Sequence, residues 1–256
     1  SEGEPALPEA VEALHLAVNA SRVVMRVHGV GGGLDWSPDG RLFVTEGVEE
    51  SGIVDIRDAA TGDSLRAFRG HRDDVNEVAF SPDGSLLATT GDDGALRVWD
   101  PRSGDAVLAV REPGVRGPVR DLRVVGPSFS PDGRWVAASW PGGVQVVDVL
   151  TGRIVTSIPV EGASATAFSP DGQRLVFATG GPPVVADVRT GDALFTVGRE
   201  GSGDVAWSAD GRWLATVGGG GVAHVWDGDT GRYRFPVTGH TGLIWGLDWS
   251  PVGHRP

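Results

Sequence analysis

Along most of this chain the apolar residues come in short runs, each closed by glycine, proline, aspartate or serine. Leu86-Leu87-Ala88-Thr89, ending before Gly91, and the run that finishes at Val98-Trp99 are typical. Short runs between turn-formers predict strands. They fall near residues 33–36, 41–46, 52–57 and 64–68, and the same four-strand pattern restarts at 75, 124, 163 and 203. The beginning of the chain departs from this. Leu7, Val11, Leu14 and Val18 lie at intervals of 4, 3 and 4, one face of a helix, with Pro8 near its start and Glu9 and Glu12 in its first turns. Residues 1–21 are therefore expected to form a linker helix, and the absence of Lys and Arg from them argues against a membrane-surface helix. Arg22 to Val27 then reads as a strand.

Two turn signals repeat in phase with the strands. Ser-Pro-Asp-Gly begins at Ser37, Ser81, Ser130 and Ser169, with variants at Ser208 and Ser250, at spacings of 39 to 49 residues. An aspartate followed four residues later by glycine comes 18 to 21 residues after each of the first five: Asp58, Asp100, Asp148, Asp187 and Asp227. A period of this length, with four strands to the repeat, is that of a propeller blade. The fold expected over residues 22–256 is an all-β propeller with five complete four-stranded blades and a partial closing blade, opened by Leu243 to Trp249. The strand at Arg22 and the one at Leu243 would share that blade, whose middle two strands would lie beyond Pro256, so the chain is expected to be part of a longer product.

Composition sharpens the picture. Forty glycines and 17 prolines suit many tight turns, and the lack of cysteine excludes disulfides, thiolate metal sites and a cysteine nucleophile. A formal charge of −12 argues against a surface that attracts phosphate backbones, and no apolar run is long enough for a membrane-spanning helix. Ten of the 34 acidic residues are the turn aspartates Asp39, Asp83, Asp132, Asp171 and Asp210 and the strand-end aspartates named above, so much of the negative charge is architectural.

These residues resemble the WD-repeat family of β-propellers, from about residue 22 to residue 250. The resemblance implies a hydrogen-bonded tetrad bracing each blade, complete in the second as His71, Thr89, Asp93 and Trp99. It is partial at Thr216 and Trp226 in the fifth blade and at His240, which opens the sixth unit. The third and fourth blades carry Val147 and Ala186 in place of the tryptophan. Trp36, Trp207 and Trp249 share one position before the turn with Phe80, Phe129 and Phe168, which marks that position as inter-blade core. The segment Leu7 to Gly33 is similar to the junction between a helical or NTPase-containing region and a propeller in large bacterial signalling and transcription-regulatory proteins.

Catalytic chemistry is not visible in the sequence. Histidines at the repeated position before a first strand are accounted for by the tetrad. Asp227-Gly228-Asp229-Thr230-Gly231 lacks the length and distal glutamate of a calcium loop, and Gly29 to Gly33 leads into a strand instead of a phosphate-binding helix. No catalytic, cofactor or metal residue is assigned. What is left is a loop face carrying Asp73-Asp74, Asp92-Asp93 and Glu49-Glu50, with Asp74, Asn76, Asp92, Trp140 and Trp245 as candidate contacts, the two tryptophans because they do not recur at a core position. The function expected is a non-enzymatic protein-interaction scaffold or sensory domain of a larger, cytoplasmic bacterial regulator, binding a basic protein or an attached regulatory domain and neither nucleic acid nor membrane. The alternative is a propeller hydrolase or lyase using channel carboxylates.

Overall fold

The computed structural model describes residues 33–46, 51–111, 124–198, 203–217, 221–244 and 246–249. They form five four-stranded antiparallel sheets, each built from strands consecutive in sequence. The first holds β1 (Leu34–Trp36), β2 (Leu42–Glu46), β3 (Ile53–Asp58) and β4 (Ser64–Arg69). The second holds β5 (Val75–Phe80), β6 (Leu87–Gly91), β7 (Ala95–Trp99) and β8 (Ala106–Arg111). Then come β9 (Val125–Phe129), β10 (Trp135–Trp140), β11 (Gly143–Asp148) and β12 (Ile154–Pro159), followed by β13 (Thr166–Phe168), β14 (Arg174–Phe177), β15 (Val184–Asp187) and β16 (Ala193–Thr196). The fifth sheet is β17 (Asp204–Trp207), β18 (Trp213–Val217), β19 (Ala223–Asp227) and β20 (Tyr233–Val237). The architecture is all-β, that of a propeller blade repeated.

The turns explain the regularity. In Ser81-Pro82-Asp83-Gly84 the serine hydroxyl donates to Asp83 Oδ1 at 2.7 Å and accepts from Leu86 N at 2.9 Å, while Gly84 N donates to the Ser81 carbonyl at 2.8 Å. Gly84 adopts φ of 69°, a left-handed conformation that favours glycine. The same serine-to-aspartate bond forms at Ser37, Ser130, Ser169 and Ser208. At the other recurring turn, Asp100 Oδ1 accepts from Arg102 N and Ser103 N, and Gly104 N closes the loop on the Asp100 carbonyl. These carboxylates stay ionised: hydrogen bonds from Ser81 and Ser85 hold Asp83 below the usual carboxylate range, and the backbone N–H groups of Arg102 and Ser103 do so for Asp100.

Between sheets the core is made by first strands pressed against the preceding blade. Phe80 packs on Val44, Val54, Ile56 and Phe68 of the first sheet, Phe129 on Ala88 and Leu96 of the second, Phe168 on Ala137 and Val144 of the third, and Trp207 on Val176 and Val185 of the fourth. Each of these rings is buried. Trp36, at the same position in β1, is 49% exposed and rests on Phe43 of its own sheet, ring centroids 5.5 Å apart. The expectation that Trp36 is inter-blade core is therefore corrected: the face it presents is the one that, in the other sheets, a preceding blade covers.

The linker helix at 1–21 and the strand from Arg22 lie outside the described residues. So do Glu49, Glu50 and Trp245. In the segment Leu243 to Trp249 the described residues do not form a ladder strand. They dock instead on the fifth sheet, where Leu247 N donates to Asp204 Oδ2 at 2.8 Å and Trp249 Nε1 donates to the Ala206 carbonyl at 3.1 Å. A strand is defined by its neighbour, and the antiparallel neighbour this segment would need is not among the described residues. None of the described residues forms a helix long and apolar enough to cross a membrane.

Candidate functional site

Blade two carries the densest polar network. His71, just before β5, is brought against the β6–β7 turn, where its Nδ1 lies 2.9 Å from Asp93 Oδ1 and its Nε2 lies 2.7 Å from Thr89 Oγ1. Trp99 Nε1 donates to the same hydroxyl at 2.9 Å. Two groups meet Nδ1, Asp93 Oδ1 and, at 2.8 Å, Arg97 Nη1; with the proton on Nδ1 for the carboxylate, Nε2 accepts from Thr89, the indole donates to the threonine behind it, and Arg97 Nη1 is left to donate to Asp93 Oδ1 at 3.2 Å. Proton donation thus runs in one direction, from Trp99 to Thr89 to His71 to Asp93. Arg97, not anticipated from the sequence, adds a charge pair to Asp93 Oδ2 at 2.9 Å.

Burial pushes the imidazole of His71 below its ordinary value, and the Arg97 guanidinium adds to that, outweighing Asp93. The ring is neutral, as the tautomer requires. For Asp93, burial works against ionisation, but the hydrogen bonds from His71 and Arg97 outweigh it and hold the carboxyl far below the usual range. Gly91 makes the arrangement possible. A Cβ there would stand 2.7 Å from His71 Nδ1 and 2.7 Å from the Asp74 carbonyl.

Elsewhere the network is dismantled in different ways. In the fifth blade Trp226 Nε1 donates to Thr216 Oγ1 at 3.0 Å, while His240 lies exposed beyond β20. In the first, Arg57 occupies the tryptophan position and pairs with Asp55 at 2.6 Å. The third and fourth blades replace the polar set with hydrocarbon: Ala138, Val147 and Trp140 share one core cluster, and Phe177 and Ala186 share another. This corrects the reading of Trp140 as a surface contact. Its ring is 2% exposed and packs against Val124, Ala138 and Val147, because the third blade has no histidine to fill that volume.

The loop face retains three of its candidate residues in one place. Asp92 N donates to the Asp74 carbonyl at 2.9 Å, and Asn76 Nδ2 donates both to Asp92 Oδ1 at 2.8 Å and to the Val124 carbonyl at 3.1 Å. Asn76 therefore pins the β6–β7 turn to the entry of β9, and the exposed Asp73 and Asp74 sit on a cross-linked ledge. Asp93 does not join that rim, since its side chain is turned inward to His71.

A further set of carboxylates lies on the inner, first strands. Asp35 Oδ2 accepts from Phe80 N at 2.7 Å, Glu77 Oε2 from Gly126 N at 3.0 Å, and Asp204 Oδ2 from Leu247 N at 2.8 Å. Asp35 and Glu77 each reach from one blade to the backbone of the next, and Asp204 reaches to the segment that follows the fifth sheet. Burial raises the carboxyls of Asp35 and Asp204 against these bonds, and the charge of Asp248 pushes both further up. These are the carboxylates an enzymatic reading would use, yet Asp35 joins two blades and Asp204 holds the segment that follows the fifth. Among the described residues no group of three or more His, Asp or Glu is placed to hold a metal ion.

Comparison with known proteins agrees with this architecture. Residues 62–100 and 198–227 match the family model described as "WD domain, G-beta repeat". The chain is 36% identical to a guanine nucleotide-binding protein subunit beta of Arabidopsis thaliana over 40% of its length and 27% of that protein's. It is 32% identical to the corresponding subunit of Solanum tuberosum over 48% of the chain and 32% of the subunit. To the apoptotic protease-activating factor 1 of Mus musculus it is 27% identical over 56% of the chain and 12% of that protein. The matches thus span about a third or less of these relatives.

Proposed function

We propose that this WD-repeat chain is a non-enzymatic interaction scaffold within a larger bacterial regulatory protein, and that the ledge built by Asp74, Asn76 and Asp92 is its docking face for a basic protein segment or an attached regulatory domain. The observation that carries the reading is the pair of hydrogen bonds that Asn76 Nδ2 donates to Asp92 Oδ1 and to the Val124 carbonyl, which fixes two loops as one acidic surface. A preformed surface loses little ordering entropy on binding. The inner carboxylates favour the same reading, because Asp35 is tied to the backbone of the second sheet and Asp204 to Leu247.

The test is affinity capture with the wild-type chain and with an Asp73→Lys, Asp74→Lys double variant, whose substituted side chains are exposed. Partners that bind through the ledge are lost from the variant and weaken with salt in the wild type. Retention of every partner by the charge-reversed chain, with unchanged circular dichroism, would remove the ledge from consideration. Trp245 belongs to the same proposal, with Trp245→Ala as its variant.

A further inference from the structure

In the second to fifth sheets the ring before the turn is 8% exposed, sealed by the sheet before it, whereas Trp36 of β1 is 49% exposed. Leu34, two residues earlier on the same face of the strand, is 52% exposed. The turn that follows leads to Arg41, whose side chain is 85% exposed and meets Asp39 only at 4.0 Å. A bare leucine and tryptophan with a loosely held arginine at the rim call for one kind of cover, an apolar surface that carries negative charge.

The chain spells such a surface a short way upstream. Leu7, Val11, Leu14 and Val18 fall on one face of the helix expected there, and residues 1–21 carry Glu2, Glu4, Glu9 and Glu12 with no Lys or Arg. Val18 is 15 positions before Gly33, which as extended chain spans about 50 Å. A helix over residues 7–18 is only about 18 Å long. Reach is therefore no obstacle to a return onto β1. A second copy of the chain is the poorer cover, because each copy carries a formal charge of −12 and the two would repel.

We propose that residues 7–18 fold back as a helix onto the exposed face of the first sheet, with Leu7, Val11, Leu14 and Val18 over Leu34 and Trp36 and Arg41 at the rim facing the acidic segment. A helix then stands where a preceding blade stands in the other four sheets. Any partner for the apolar face of that helix competes with blade one for it, and lifting the helix bares Trp36, so the contact is a latch. No residue of the acidic ledge enters it, and either proposal can fail alone.

The chain has no cysteine, so a pair introduced into it reports one contact at a time. Leu14→Cys with Leu34→Cys, and separately Val11→Cys with Leu34→Cys, are oxidised mildly in dilute solution and separated by electrophoresis without reductant. The expected result is a disulfide within one chain, formed about tenfold or more faster than from Glu9→Cys with Leu34→Cys, whose first cysteine lies on the opposite face of the helix. Arg41→Glu is expected to slow the reaction at low salt and far less at high salt. A second measurement needs no cysteine. Leu14→Glu in the full chain is expected to move the indole N–H signal of Trp36 in a heteronuclear NMR spectrum, identified by its loss in Trp36→Phe, and to leave that of Trp99 in place. Equal rates from the Glu9→Cys pair, disulfides only between chains, or an unmoved Trp36 signal would each overturn the proposal.

Discussion

Trp140 stands in the third blade where Gly91 stands in the second, both ten residues after the serine of the turn. One position thus holds the smallest side chain where a histidine must fit beside it, and the largest where the histidine is gone. The two blades fill one volume by opposite means, with hydrogen-bonded polar groups in one and hydrocarbon in the other.

Trp140→Ala is expected to cost about 3–5 kcal/mol, the range for truncating a buried tryptophan. Trp140→Phe should cost much less, because the buried indole N–H has no hydrogen-bond partner among the described residues and its loss removes an unpaid donor. Urea unfolding of the two variants checks the order. If the phenylalanine variant proved the less stable of the two, the placement of the indole would be wrong.

Thr89→Val keeps the shape of the side chain and removes the hydroxyl between Trp99 and His71. It leaves two groups unpaired, against one for Thr216→Val, where the hydroxyl serves Trp226. A loss of about 1–3 kcal/mol is expected for Thr89→Val and a smaller one for Thr216→Val. Paired denaturation curves under one buffer decide it.

Stability should fall as the pH drops below the ordinary imidazole value of 6.5. His71 is harder to protonate when folded, so below that value the unfolded chain binds the extra proton and is favoured. The contribution is whole above 6.5 and is lost as the pH descends toward the lowered folded value. Comparing His71→Gln with the wild type from pH 7.5 to pH 5.5 isolates it, and a difference between the two that does not change with pH would refute the neutral, buried ring.

Asp35, Asp204 and Asp248 act in the other direction. Their carboxyls are raised in the folded chain, so it binds protons that the unfolded chain has released, and stability declines as the pH rises through the folded values. Asp248→Asn, which removes a charge from beside Asp35 and Asp204, is expected to raise the melting temperature at neutral pH. The gain should fade below the ordinary carboxyl value of 3.8. A gain equally large in acid would mean that charge is not the cause.

The blade pattern was legible because its signals are local. Ser-Pro-Asp-Gly closes on itself within four residues, and strands expected at 41–46 and 52–57 are observed at Leu42–Glu46 and Ile53–Asp58. What the sequence concealed depends on neighbours. Trp140 follows a turn and precedes Pro141-Gly142, a context that reads as surface until the missing histidine of its blade is recognised as empty volume. Trp36 matches Phe80 by position, but its burial depends on what lies across from it. Arg97 is alternating strand sequence on paper and becomes a partner of Asp93 only once β7 is laid beside the β6–β7 turn. Asp35, Glu77 and Asp204 carry no motif at all, since what they bind is backbone more than forty residues away.

That last property has a consequence for how such a chain can change. A carboxylate that holds its neighbour by a peptide N–H asks nothing of the neighbour's side chains, and any residue except proline can answer it. The joint at Phe80 is therefore indifferent to the side chain that stands there, whereas Gly126, at φ of 62°, answers Glu77 from a backbone conformation of its own. The third blade has traded its polar network for hydrocarbon and is still held by Glu77 of the second through a backbone N–H, so variation inside one repeat need not be matched in the next.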